Sequence, residues 1–141
     1  MQLERMPLFK RFFVGRTCSV ARQEHGWAFS FGEDANLRVS IPWRIVTSDG
    51  IAFANADDNQ QFGLPQPIDG QILANKLLSG RRVAVFDVEA RTADLRITFD
   101  GEVRLEMFNN SSGYEGWNAV VQIDGQTTSV IGMGGGDVVF Y

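Results

Sequence analysis

Apolar and polar positions alternate along most of this chain with a period of two, the spacing of strands that bury one face and wet the other. Phe29 and Phe31 lead into Gly32-Glu33-Asp34, and Leu37, Val39 and Ile41 follow it. Further on, Leu95, Ile97 and Phe99 lead into Asp100-Gly101, with Val103, Leu105 and Met107 after it. Each arrangement predicts a hairpin, because glycine tolerates the positive φ of a tight connection between twisted strands. Both lie downstream of a Gly-Arg pair, Gly15-Arg16 and Gly80-Arg81. The stretches that begin there read as two loose copies of one pattern, an internal duplication of strand, turn, strand, Gly-acidic turn and strand. Val39, Ile41 and Trp43 alternate with Arg38, Ser40 and Arg44, which places all six on one half-buried strand. Pro42 interrupts it and lacks an amide donor, so the strand around Trp43 is expected at an edge or at a bulge.

Between the copies the pattern changes. Residues 55–61 are polar and acidic, and Pro65 and Pro67 follow, so this stretch reads as a loop. Ile68, Ile72, Leu73 and Leu77 then fall on one helical face, with Ser79-Gly80 as the exit. No other segment predicts a helix. The opening residues to Phe9 read as an arm that joins the fold at Pro7. Gly132-Met133-Gly134-Gly135-Gly136 reads as a flexible hairpin loop, since a strand follows it and not the helix that a phosphate cradle opens. The expected fold is a mainly β α+β domain spanning residues 1–141. Its first β unit covers about 10–54, the loop and helix 55–79, and the second β unit 80–141. The two antiparallel units pack face to face as a sandwich or a bent, barrel-like sheet, because each has one apolar face to hide.

Composition narrows the function classes. A chain of 141 residues with 44% apolar content, eleven Phe and three Trp can bury a core without a covalent staple. Cys18 is the only cysteine, so no internal disulfide forms, and a cytoplasmic location fits. The apolar run Phe12-Phe13-Val14 is too short for a membrane span. Net charge is −4 and the arginines are scattered singly, which disfavours nucleic acid and favours a basic protein partner. His25, the one histidine, lies in a turn without neighbouring metal or triad partners. Asp57 and Asp58 lack the glycine and glutamate of a calcium loop. The residues therefore predict no catalytic site, no metal and no cofactor.

Residues 109–117 form the best candidate site. Asn109, Asn110, Ser111 and Ser112 are rich in hydrogen-bonding groups, and Tyr114, Glu115 and Trp117 supply a charge and the aromatic types that anchor interfaces. The alternative is a brace, with Asn and Ser bonded to local backbone while Tyr114 and Trp117 pack on the sheet. Trp43 and Arg44 stand at the matching end of the first copy, where Arg44 is expected to stack on a ring or pair with an acid.

Pro42-Trp43-Arg44-Ile45, Asp57, the run Asp94-Leu95-Arg96-Ile97-Thr98-Phe99 and the corner Ser111-Ser112-Gly113-Tyr114-Glu115-Gly116-Trp117 together resemble a family of small bacterial proteins of unknown function. The likeness covers about residues 15–123 and rests mainly on the last motif. Members resemble immunity proteins, which implies a binder that neutralises a toxin and carries no catalytic residues. On that reading a basic toxin domain meets Asp57, Asp58 and Glu115 with aromatic anchors beside them. Two other classes stay open: a structural or regulatory module that homodimerises along the Trp43 edge, and a small-ligand protein or enzyme with a cleft between the halves lined by Tyr114 and Trp117.

Overall fold

The computed structural model describes residues 2–141, with side chains from Arg5 onward. Among them the element order is α1 (Gln2–Phe12), β1 (Ser19–Gln23), β2 (Gly26–Ser30), β3 (Ala35–Val39), β4 (Trp43–Thr47), β5 (Gly50–Ala54), α2 (Gly70–Leu78), β6 (Val83–Val88), β7 (Leu95–Phe99), β8 (Val103–Met107), β9 (Trp117–Ile123), β10 (Gln126–Gly132) and β11 (Val138–Phe140). The strands make two antiparallel sheets, β1-β2-β3-β9-β10-β11 and β5-β4-β8-β7-β6. The period-two pattern becomes alternating burial: Ala35, Leu37 and Val39 point inward on β3, as do Leu95, Ile97 and Phe99 on β7. Both hairpins expected from the turns form, β2 with β3 and β7 with β8. The protein is thus mainly β, with two sheets packed over one core.

Each half contributes to both sheets, which the face-to-face picture did not foresee. β1-β2-β3 form a meander in the first sheet and the chain then crosses to β4 and β5 in the second; β6-β7-β8 form a meander in the second sheet and the chain crosses to β9 and β10 in the first. The halves share one connectivity, with β3 receiving β9 and β4 receiving β8. The two crossings, residues 40–42 and 108–116, lie side by side: Ser40 N–H donates to the Gly116 carbonyl at 3.0 Å, and Phe108 N–H to the Pro42 carbonyl at 2.9 Å. Pro42 therefore sits where the chain changes sheets and does not interrupt one long strand. Nor is Trp43 at an edge, because β4 lies between β5 and β8. The irregularity falls further on, as a register shift between Ile45 and Val46.

The expected N-terminal arm is a helix. Phe9 on α1 and Phe13 in the turn just after it, four residues on, are both fully buried. Phe9 stands edge-on to Phe13, Phe86 and Phe140 and stacks on Trp117, while Phe13 stacks on Phe86 at 4.1 Å. Pro7 costs the helix one amide donor, and burial of this aromatic cluster outweighs it.

α2 begins at Gly70, capped by Asp69, whose carboxylate accepts the N–H groups of Gln71 at 3.1 Å and Ile72 at 3.2 Å. It buries Gly70, Ala74 and Leu78, and leaves Ile72 exposed. A Cβ at position 70 would collide with the Phe53 ring, so glycine lets the helix approach closely. Asn75 bonds both backbone groups of Val20, accepting its N–H at 2.8 Å and donating to its carbonyl at 2.7 Å, and Gln71 accepts the Arg22 N–H. Helix side chains thus occupy the outer edge of β1, where a further strand would pair.

The Gly-Arg pairs have a mechanical role. Gly15 and Gly80, both at positive φ, follow α1 and α2. Arg16 Nε donates back to the Phe12 carbonyl and Arg81 Nε to the Leu77 carbonyl, each 2.9 Å away. Their guanidinium groups then reach a hairpin turn: Arg16 pairs with Asp34, and Arg81 donates to the Asp100 carbonyl.

Candidate functional site

The second crossing, residues 108–116, is built from the inside outward by groups that β9, β10 and the loop before β7 provide. Trp117 at the start of β9 is buried, donating its indole Nε1–H to the Ala93 carbonyl at 2.8 Å and lying parallel to Phe9. A Cβ at position 132 would overlap the indole, so Gly132 on β10 is the residue that leaves room for it. Asn109 donates from its side-chain amide to the Thr92 and Met133 carbonyls at 2.9 and 2.8 Å, and its N–H donates to the Asp94 carboxylate at 2.8 Å. Trp117 and Asn109 are therefore braces, which corrects their assignment to a partner surface. The glycine-rich stretch is a tight 3-10 turn, Gly134–Gly136, pressed against the same corner. Gly135 N–H donates to the Ser111 carbonyl at 2.9 Å, and a Cβ on Gly134 would strike the backbone of Gly113 and Tyr114.

On this support the outer part of the corner is held in one shape. Ser111 Oγ accepts the N–H groups of Gly113 at 3.1 Å and Tyr114 at 2.9 Å. Asn110, Ser112, Tyr114 and Glu115 face solvent, and Tyr114 is 83% exposed. The two sequence-based alternatives thus divide within one segment: Asn109, Ser111 and Trp117 brace it, while Tyr114 and Glu115 are presented by it.

Beside Glu115 lies an open groove of about 370 Å³ where β3 meets β9. Glu24, His25, Trp27, Arg38 and Asn118 share its wall with Glu115. The Asn118 side-chain oxygen is buried beneath the wall with no hydrogen-bond partner among the described residues. His25 and Glu24 stand 3.8 Å apart, both almost wholly in solvent. The groove therefore offers acceptors and charge for binding, with no nucleophile poised against a base. The sequence singled out His25 as a turn histidine; its nearness to Glu115 follows from the β3-β9 pairing, which carries no local signature.

The acidic loop is spent internally. The Asp57 carboxylate accepts the Ala54 N–H at 3.0 Å. Asp58 is clamped by Arg22 through bonds of 2.7 and 2.8 Å and also accepts the Gly70 N–H at 2.8 Å. Arg22 reaches Asp69 as well and lies over the Trp27 ring. The pair ties β1 to the start of α2 and offers no free negative surface, which corrects the role expected for Asp58. Hydrogen bonding from Arg22 holds the Asp58 carboxyl below its ordinary value of 3.8. The stabilisation is complete above that value and disappears as pH falls through the lowered one. Asp58→Asn is therefore expected to cost about 1 kcal/mol at pH 7 after allowance for solvent screening. In urea titrations the gap from the parent should close as pH drops below 3.8; a gap independent of pH would refute the assignment.

Trp43 is buried edge-on against Trp27 and Phe29, each 5.1 Å away, and donates its backbone N–H to the Asn55 side chain. Arg44 realises both of its expected contacts, lying over the Phe108 ring at 5.1 Å and bonding Glu106 at 2.8 Å. Burial pushes the Cys18 thiol far above its usual pKa, so it serves as a small hydrophobe. Among the described residues no helix is long and apolar enough to cross a membrane. No family model matches the chain, and neither a curated protein nor a solved structure does.

Proposed function

We propose that this chain is a non-enzymatic protein-binding domain, an inhibitor of the immunity type that neutralises a toxin by direct contact through Tyr114, Glu115 and the adjoining groove. The observation that carries the reading is Tyr114, a large aromatic held almost fully in solvent by a loop whose backbone is fixed from three sides. A loop whose backbone is already held in the free protein loses little backbone entropy on binding, and tyrosine supplies contact area with only two side-chain torsions. Glu24 and Glu115 flank the groove, and the net charge of −4 favours encounter with a basic partner.

The test is capture of the product of the gene adjacent to its own, followed by calorimetry with the parent, Tyr114→Ala and Glu115→Lys. Both side chains are exposed, so melting temperature should stay within about 2 °C of the parent. Nanomolar one-to-one binding by the parent should weaken at least about 100-fold in Tyr114→Ala and about tenfold in Glu115→Lys, the latter mainly through a slower on-rate. No binding, or binding indifferent to both substitutions, would refute the reading.

A further inference from the structure

The outer face of the five-stranded sheet carries a charge arrangement that the corner and groove do not use. Its centre is Glu106 on β8, whose side chain is only 6% exposed. One carboxylate oxygen accepts Arg44 Nε–H at 2.8 Å; the other accepts Arg104 Nε–H at 2.7 Å and lies 3.6 Å from Arg96 Nε. The register brings them together, since Arg44 on β4 and Arg96 on β7 both stand opposite Glu106, and Arg104 precedes it by two residues on the same face. Burial alone would raise the Glu106 pKa, but the bonds from Arg44 and Arg104 outweigh it and keep the carboxyl below its usual range.

Three cations share one anion here. Each arginine engages Glu106 through Nε, and its terminal nitrogens have no hydrogen-bond partner among the described residues. The side chains are 39%, 66% and 42% exposed for Arg44, Arg96 and Arg104, so those nitrogens reach solvent. None of the neighbouring acids forms an ion pair with the three arginines: Asp87, opposite Arg96, is 3.6 Å from Lys10, Glu89 pairs with Arg91, and Asp94 is turned to the Asn109 N–H. The cluster holds two positive charges in excess, on guanidinium groups packed side by side because they share a carboxylate. Phe108 beneath Arg44 fixes the plane of that guanidinium, and the buried Glu106 tethers all three groups at Nε.

We propose that this face binds a phosphoryl dianion, whose oxygens take up the free terminal N–H groups of Arg44, Arg96 and Arg104 while Glu106 holds the three in place. Two excess charges match a dianion better than a single carboxylate, and planar guanidinium forks match phosphate oxygens two at a time. The adjoining hollow, about 190 Å³, is lined by Asp87, Glu89 and Asp94 as well as Arg96 and Phe108, so an anion is excluded from it and meets the arginines on their outer, solvent side, with its carrier left in solvent.

The test is calorimetry at low ionic strength with inorganic phosphate and, separately, with a phosphoserine peptide and its unphosphorylated twin. Phosphate is expected to bind one-to-one, acetate not to compete at equal concentration, and Arg96→Gln/Arg104→Gln to weaken binding at least tenfold, with affinity falling steeply as salt rises. Tighter binding of the phosphopeptide than of phosphate assigns the group to a protein-borne monoester; equal affinity assigns it to free phosphate. Arg96→Gln, at the more exposed of the two arginines, decides the matter alone should the double variant fail to fold. Absence of binding to both phosphorylated probes at millimolar concentration, or retention of full affinity by Arg96→Gln, overturns the proposal.

Discussion

Phe9→Ala is expected to destabilise the protein by about 4 kcal/mol, a fall of roughly 12 °C in melting temperature for a domain of this size. Phe9 is fully buried and touches four rings, those of Phe13, Phe86, Phe140 and Trp117, so its removal leaves a cavity at the meeting point of α1, both sheets and the corner. Its chain neighbour Leu8 is 42% exposed and serves as the control; Leu8→Ala should cost under about 1 kcal/mol. Urea and thermal unfolding of the two variants separate a structural helix from a dispensable arm. Equal, small losses would mean that α1 only rests on the sheets.

Trp117→Ala carries the second large effect, again about 4 kcal/mol, with a different signature. The substitution removes the ring that Phe9 stacks on and strands the buried Ala93 carbonyl without its donor. It also opens space beside Gly132, whose missing side chain accommodates the indole. Because Trp117 ends the corner, loosening should spread to the loop that presents Tyr114. Amide exchange at Gly113 and Tyr114 is expected to speed up in Trp117→Ala under conditions where the variant remains folded. Exchange unchanged at those amides, despite the lower stability, would show that the loop is held by Ser111 and Gly135 alone.

Much of the architecture was written in local pattern. Strand periodicity and turn chemistry located both hairpins, because alternation and a glycine turn are short-range signals. The helix at α1 was obscured by Pro7 and by charged residues between Met6, Phe9 and Phe13, whose helical spacing is visible only if the proline is tolerated. The run from Arg38 to Arg44 keeps one alternation across Pro42 although the chain leaves one sheet for the other, so periodicity could not reveal the crossing. The candidate site divided along the same line. The corner was recognisable from its composition, but which of its side chains turn inward depends on Ala93, Met133 and Gly135, partners distant in sequence. Asp58 looked free because its cation, Arg22, comes from another strand, and Asp57 because its partner is a backbone N–H, that of Ala54. The clustering of Arg44, Arg96 and Arg104 around Glu106 is equally a product of strand register.

The shared connectivity of the halves bears on how the molecule comes into being. β3 and β4 find their missing neighbours only in β9 and β8, through pairings as distant as Leu37 with Ala119 and Ile45 with Leu105. During synthesis the first half therefore waits as two open fragments, each with an unsatisfied rim, until the second half has left the ribosome. Contacts between such distant residues incur their chain-closure entropy before any burial offsets it, so folding should be slow for a domain of this length. While those rims stand open, β8 and β9 of another molecule fit them as well as the chain's own strands do. Self-completion and reciprocal exchange between two copies compete for the same acceptor strands, and concentration during folding selects between them.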